Sequence, residues 1–143
     1  MNVRHRLHAV LVVLIVVIAA AAAQAHHSFS GVFDVSKQAT LKGVISKIDW
    51  VNPHIYIYLD VKDDDGKVTS WALETLPTNH MRSVGLTRQD FWNNASAGEV
   101  VTAHVNPSRD LTNFRAGWLL RITYADGHFF HLNGDPKAIA EAK

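Results

Sequence analysis

The sequence predicts an all-β domain with one short helix, a small OB-fold-like Greek-key barrel. Three observations predict it. Apolar and polar residues alternate at period two in about six segments after residue 40. Glycine–aspartate turn signals join several of these segments as hairpins. One short helical start, at Pro77-Thr78-Asn79, falls between the third and fourth strands. That order fits the five-stranded OB barrel. A β-sandwich is the alternative architecture.

The first strand runs from Thr40, with Leu41, Gly43 and Ile45 on one face and Val44, Ile48 and Trp50 on the other. Gly43 inside a strand signals a bulge or bend, so a long coiled strand buries parts of both faces. Asn52-Pro53 punctuates, since Pro53 cannot donate to a ladder. The second strand puts Ile55, Ile57, Leu59 and Val61 into the core and His54, Tyr56, Tyr58 and Asp60 on the opposite face. Asp63-Asp64-Asp65-Gly66-Lys67 is a hairpin turn, and a solvated acidic one, because a calcium loop needs alternating ligands and a distal acid. Val68–Glu74 returns with Trp71 and Leu73 on one face.

The helix has Thr78 or Asn79 as cap, Met81 and Val84 as buried positions and Gly85 as its end. Thr87-Arg88-Gln89-Asp90 resembles a second capping start, followed by Phe91 and Trp92. In the strand Val100–Asn106, Val101, Ala103 and Val105 face inward, with Thr102 and His104 opposite. Trp118, Leu120, Ile122 and Tyr124 share a face in the next strand. Asp126-Gly127 turns that strand into His128–Leu132.

Residues 1–25 read as a secretory signal: Arg4 and Arg6, an apolar block over 9–23, and the small-x-small pattern Ala23-Gln24-Ala25. Cleavage after Ala25 is expected to deliver the chain to the periplasm or the medium, with no membrane span left in it. The expected organisation is a lead-in over 26–39 pinned by Phe29 and Phe33, the barrel over 40–132, and a loose tail over 133–143. Arg4 and Arg6 depart with the signal, which leaves 12 basic side chains against 13 acidic ones. A nucleic-acid partner wants a basic face, so this balance argues against one. There is no cysteine. Disulfides, thiolate metal sites, iron–sulfur clusters and thiol catalysis are therefore excluded.

Cleavage after Ala25 would leave His26 as the first residue and His27 as the second. The α-amine and imidazole of His26 can chelate one metal, and a second histidine completes a flat site. This arrangement resembles the histidine brace of copper monooxygenases and periplasmic copper carriers. All-nitrogen ligation suits Cu(II), which tops the divalent affinity order. His27 offers a different chelate, through the α-amine, its own amide and its imidazole. His54, held at a strand start behind Pro53, is the favoured partner, and His104 is the alternative. The plainer account is that the paired histidines merely suit the peptidase or the surface. His80 is expected to be exposed. His128 and His131 are expected on opposite sides of one strand, so they do not jointly grip a metal.

Three segments together carry a family resemblance: Ala25-His26-His27-Ser28-Phe29, Thr40-Leu41-x-Gly43-Val44-Ile45 and Trp50-Val51-Asn52-Pro53-His54, followed by the acidic turn. The chain resembles a bacterial exported family described as domain of unknown function 6152, over about residues 25–132. The resemblance implies an exported small β-barrel and brings no established activity.

The function expected first is a non-enzymatic exported barrel that binds Cu(II) through His26, with His54, His27 or His104. Next comes a module for an envelope protein or a glycan, with Tyr56 and Tyr58 as the contact face. A copper-dependent redox enzyme, which needs an open metal position and a reducible site, ranks third, because a brace also occurs in carriers and no substrate groove is readable in the sequence. No nucleophile–base pair and no phosphate-binding glycine loop appears in the sequence.

Overall fold

In the computed structural model, the described residues are Asn2, Arg4, His8, Leu11 and residues 29–93, 98–112 and 114–132. The chain divides into two compact units, Met1–Gly31 and Val32–Lys143. The barrel lies wholly in the second. His26, His27, most of the expected signal and the tail over 133–143 lie outside the described residues. Among the described residues, no helix is long and apolar enough to cross a membrane.

Helix α1 spans Phe29–Val32. The barrel strands are β1 (Ala39–Asp49), β2 (Tyr56–Lys62), β3 (Val68–Glu74), β4 (Val100–Pro107) and β5 (Ala116–Thr123), with β6 (Phe129–His131) added outside the ring. Strand β1 pairs antiparallel with both β2 and β4, and β4 pairs with β5. Parallel pairing of Ala72–Glu74 with Ala116–Trp118 closes the ring. The cyclic order 1-2-3-5-4 is that of an OB-type Greek-key barrel. The first half of β5 pairs with β3, and its second half, Arg121–Thr123, pairs with β6.

The clearest alternation in the sequence gives the firmest core. Ile55, Ile57 and Leu59 are fully buried, and so are Val101, Ala103 and Val105 facing them from β4. Two bulges reset the phase elsewhere. Ser46 is the extra residue in β1, because Ile45 and Lys47 oppose the consecutive residues Leu59 and Tyr58. The bulge therefore falls three residues beyond Gly43. It turns Ile45 and Ile48 into the same core, with Trp50 packed against it, instead of onto opposite faces. Gly43 serves close approach: a Cβ there would meet the Asp60 backbone, with its carbonyl carbon at 2.9 Å.

The second bulge corrects the expected face of β5. His104 opposes Arg121 while Val105 opposes Leu119, which leaves Leu120 extra. Leu119, Ile122 and Tyr124 fill the core, while Trp118 and Leu120 are only half-buried. Strict period-two reading fails here because one inserted residue swaps the two faces.

Two short helices, not one, link β3 to β4: α2 (Thr78–Ser83) and α3 (Arg88–Asn93). No side chain caps α2. Thr78 sits inside it and donates its hydroxyl to Asn52 Oδ1 at 2.7 Å. Helix α3 does start on the expected box. The backbone N–H and hydroxyl of Thr87 donate to Asp90 Oδ2 at 2.6 and 2.7 Å. Met81 and Phe91 fix the two helices on the core, both fully buried.

Phe33 pins the lead-in, buried and 5.9 Å from the Trp118 ring, whereas Phe29 is exposed. Beside it the Asp34 N–H donates to the Pro107 carbonyl. Hydrogen bonds from Ser36, and then Lys37, hold the Asp34 carboxyl down at about 2. A carboxyl whose folded value lies below its unfolded one stabilises the fold above the unfolded value. That stabilisation is lost as pH falls through the folded value. The stability difference between wild type and Asp34→Asn is therefore expected to shrink between about pH 4 and pH 2. Urea midpoints across that window check it; a constant difference would mean that Asp34 ionisation does not support the fold.

Candidate functional site

The segment before β2 is built to present His54. Trp50 packs its ring 5.9 Å from Phe91, which fixes the start of the turn. The Asn52-Pro53 peptide is cis. The Asn52 side chain is tied to α2 through the Thr78 hydroxyl. Ile55, next in line, is fully buried and accepts the Thr75 N–H at 2.9 Å. His54 therefore stands between two anchored points.

Its ring is held as firmly as its backbone. Nδ1 lies 3.1 Å from the Thr75 carbonyl oxygen and 3.2 Å from Glu74 Oε1. A carbonyl oxygen can only accept, so Nδ1 carries the proton and donates. In the neutral ring this leaves the lone pair on Nε2. Glu74 is held from its other side by the Tyr56 hydroxyl, which donates to Oε2 at 3.1 Å. Tyr56 and Glu74 are cross-strand partners, and Glu74 is paired with Trp118 in turn. The Trp118 ring meets the His54 ring edge-on at 5.8 Å. Burial, then the nearby Glu74 charge, pushes the Tyr56 phenol up to about 12, so it stays a donor at any physiological pH.

In the arrangement His54–Glu74–Tyr56 an imidazole is oriented by a carboxylate, itself oriented by a phenol. Metal-binding histidines use such outer partners to fix tautomer and direction. The Trp-x-Asn-Pro-His segment marks His54 in the sequence. Nothing local in the sequence marks Glu74, because its contact with His54, 20 positions earlier, depends on strand register.

His104 lies in other company. Its Nδ1 is 3.2 Å from the Thr40 hydroxyl. It lines a cavity of about 340 Å³ with Gln38, Leu120, Arg121 and His131. The Arg121 guanidinium, its cross-strand neighbour, opposes a cation there. Among the described residues, the partners of His54 and those of His104 have no residue in common. His128 packs edge-on against Phe130 at 4.8 Å, apart from the cavity that His131 lines. His80 is half-buried rather than exposed, and its Nε2 has no hydrogen-bond partner among the described residues. Among the described residues, no group of three or more His, Cys, Asp or Glu could hold a metal.

A family model described as a family of unknown function (DUF6152) matches residues 13–118. The chain belongs to the DUF6152 family. The DUF6152 match takes in the paired histidines, the Trp-x-Asn-Pro-His segment and all three members of the His54–Glu74–Tyr56 array. It ends at Trp118, before Arg121 and His131. No curated protein and no solved structure matches the chain.

Proposed function

We propose that this protein is an exported copper-binding barrel, with His54 Nε2 as one ligand and the histidine start of the processed chain as the rest. One observation carries the reading. His54 Nδ1 is occupied by Thr75 and Glu74, which leaves Nε2 as the ligating nitrogen of an oriented ring. Among the described residues, His54 belongs to no group of three or more His, Cys, Asp or Glu that could hold a metal. His26, with its α-amine and imidazole, and His27 supply nitrogen donors of the kind Cu(II) prefers. His54 is preferred to His104 because Arg121 stands against a cation at the latter.

The reading as a partner or glycan module comes second. Both tyrosines of its contact face are half-buried. Tyr56 is engaged by Glu74, and the Lys47 ammonium sits 5.0 Å from the Tyr58 ring centre. Replacing both with serine would test it by loss of partner pull-down.

Cu(II) titration of protein exported through its own signal, with His26 confirmed as first residue by mass spectrometry, tests the copper reading. Tight one-to-one binding is expected. One extra glycine before His26, or His54→Ala in a chain whose circular dichroism is unchanged, should each weaken it by about 100-fold or more, which is about 2.8 kcal/mol. Affinity indifferent to both changes would overturn the assignment.

A further inference from the structure

The outer face of β1, β4, β5 and β6 carries a second feature, independent of copper. Thr40 opposes His104, His104 opposes Arg121, and Arg121 opposes His131. Four strands thus put four hydrogen-bonding side chains in one cross-strand row. Direct cross-strand neighbours stand about 5 Å apart at Cβ. The next row along the same strands is Lys42, Thr102, Thr123 and Phe129. Neither row contains a carboxylate, in a chain whose acidic and basic residues are nearly balanced.

The cavity of about 340 Å³ opens on this face, with Leu120 as its apolar wall. That volume lies at the small end of the range for small-molecule sites, roughly 300–1,000 Å³. The extra residue of the bulge, Leu120, and its neighbour Arg121 both line the cavity. The Arg121 guanidinium lies over the Phe129 ring, 4.0 Å from its centre. Its Nε is buried and has no hydrogen-bond partner among the described residues. A buried donor without an acceptor is costly. A guanidinium carries its donors in a planar fork whose geometry matches a carboxylate or phosphate.

We infer that this cavity is a binding site for a small oxyanion, a carboxylate or phosphate group, taken by Arg121 with His104 and His131 beside it. Among the described residues, the lining Gln38, His104, Leu120, Arg121 and His131 includes no carboxylate. Leu120 accommodates an apolar part of the ligand.

Calorimetric titration of the mature protein with inorganic phosphate, D-glucuronate and, as the neutral control, D-glucose tests the site. In parallel, heteronuclear NMR follows the Arg121 Nε–Hε signal and the His104 and His131 amides. Saturable binding of phosphate or glucuronate, with shifts at these three residues, is expected, and whichever anion saturates identifies the oxyanion. Arg121→Leu should abolish it. Arg121→Lys, which keeps the charge but loses the fork, should weaken it about tenfold. His131→Ala provides a second test should position 121 prove necessary for folding; it should weaken binding several-fold. No saturation with either anion, shifts equal to those with glucose, or affinity unchanged in the Arg121 and His131 variants would overturn the assignment.

Discussion

Phe91→Ala is expected to destabilise the barrel by about 3–5 kcal/mol, the range for a fully buried phenylalanine that leaves a cavity. The midpoint of thermal unfolding should fall by roughly 15 °C or more for a domain of this size. The reason lies in what Phe91 joins. Its ring is 5.0 Å from Phe130 on β6 and 5.9 Å from Trp50, at the head of the segment that delivers His54. Its carbonyl accepts the Tyr124 hydroxyl, at 3.3 Å, in a buried setting. One side chain therefore ties α3, β6 and the Trp50 turn into a single core. Urea unfolding followed by tryptophan fluorescence would measure the cost. Phe91→Leu, which retains most of the volume, should cost about 1 kcal/mol. A loss below about 1 kcal/mol for the alanine variant would mean that α3 is an appendage and that Trp50 is held by other contacts.

The sequence makes the barrel legible where burial is one-sided and unbroken. Strand β2 and strand β4 follow strict alternation, so their inward residues can be named without coordinates. The box at Thr87 and Asp90 announces α3 through short-range hydrogen bonding. Strands β1 and β5 resist the same reading, because Ser46 and Leu120 each insert a residue and exchange the faces downstream. A bulge depends on the partner strand, and the partner is not a local property. Thr78 illustrates the same point from the other side. Local propensity makes it a helix cap, but Asn52, 26 positions earlier, claims its hydroxyl.

The sites divide in the same way. His54 is legible because Pro53 ends a turn immediately before an alternating strand. Glu74 and Thr75, which orient its ring, become visible only once β2 and β3 are in register. His104 and His131 can be picked out as histidines, yet their common cavity with Arg121 requires both the β4–β5 bulge and the pairing of β6. His26 and His27 rest on the processing pattern alone, since they lie outside the described residues.

The strongest functional consequence of that array concerns a residue that is not itself a ligand. Glu74→Gln should lower the Cu(II) affinity of the natively processed protein by about 10–100-fold, the range for losing an outer partner of a metal-bound histidine. Glutamine keeps the shape but removes the charge that favours a proton on Nδ1 and raises the basicity of Nε2. Tyr56→Phe should have a smaller, few-fold effect, because it leaves Glu74 Oε1 in place beside His54. That effect should not vary between pH 6 and about 9, since the phenol stays protonated until far higher pH. The decisive comparison is a double-mutant cycle. If Glu74 acts through His54, Glu74→Gln should cost almost nothing further once His54 is alanine. An equal loss in both backgrounds would place the contribution of Glu74 elsewhere, as general surface charge or as barrel stability. Nitrogen hyperfine structure in the Cu(II) electron paramagnetic resonance spectrum separates the cases. One fewer coupled nitrogen in His54→Ala, with an unchanged count in Glu74→Gln, is the pattern that orientation through His54 requires.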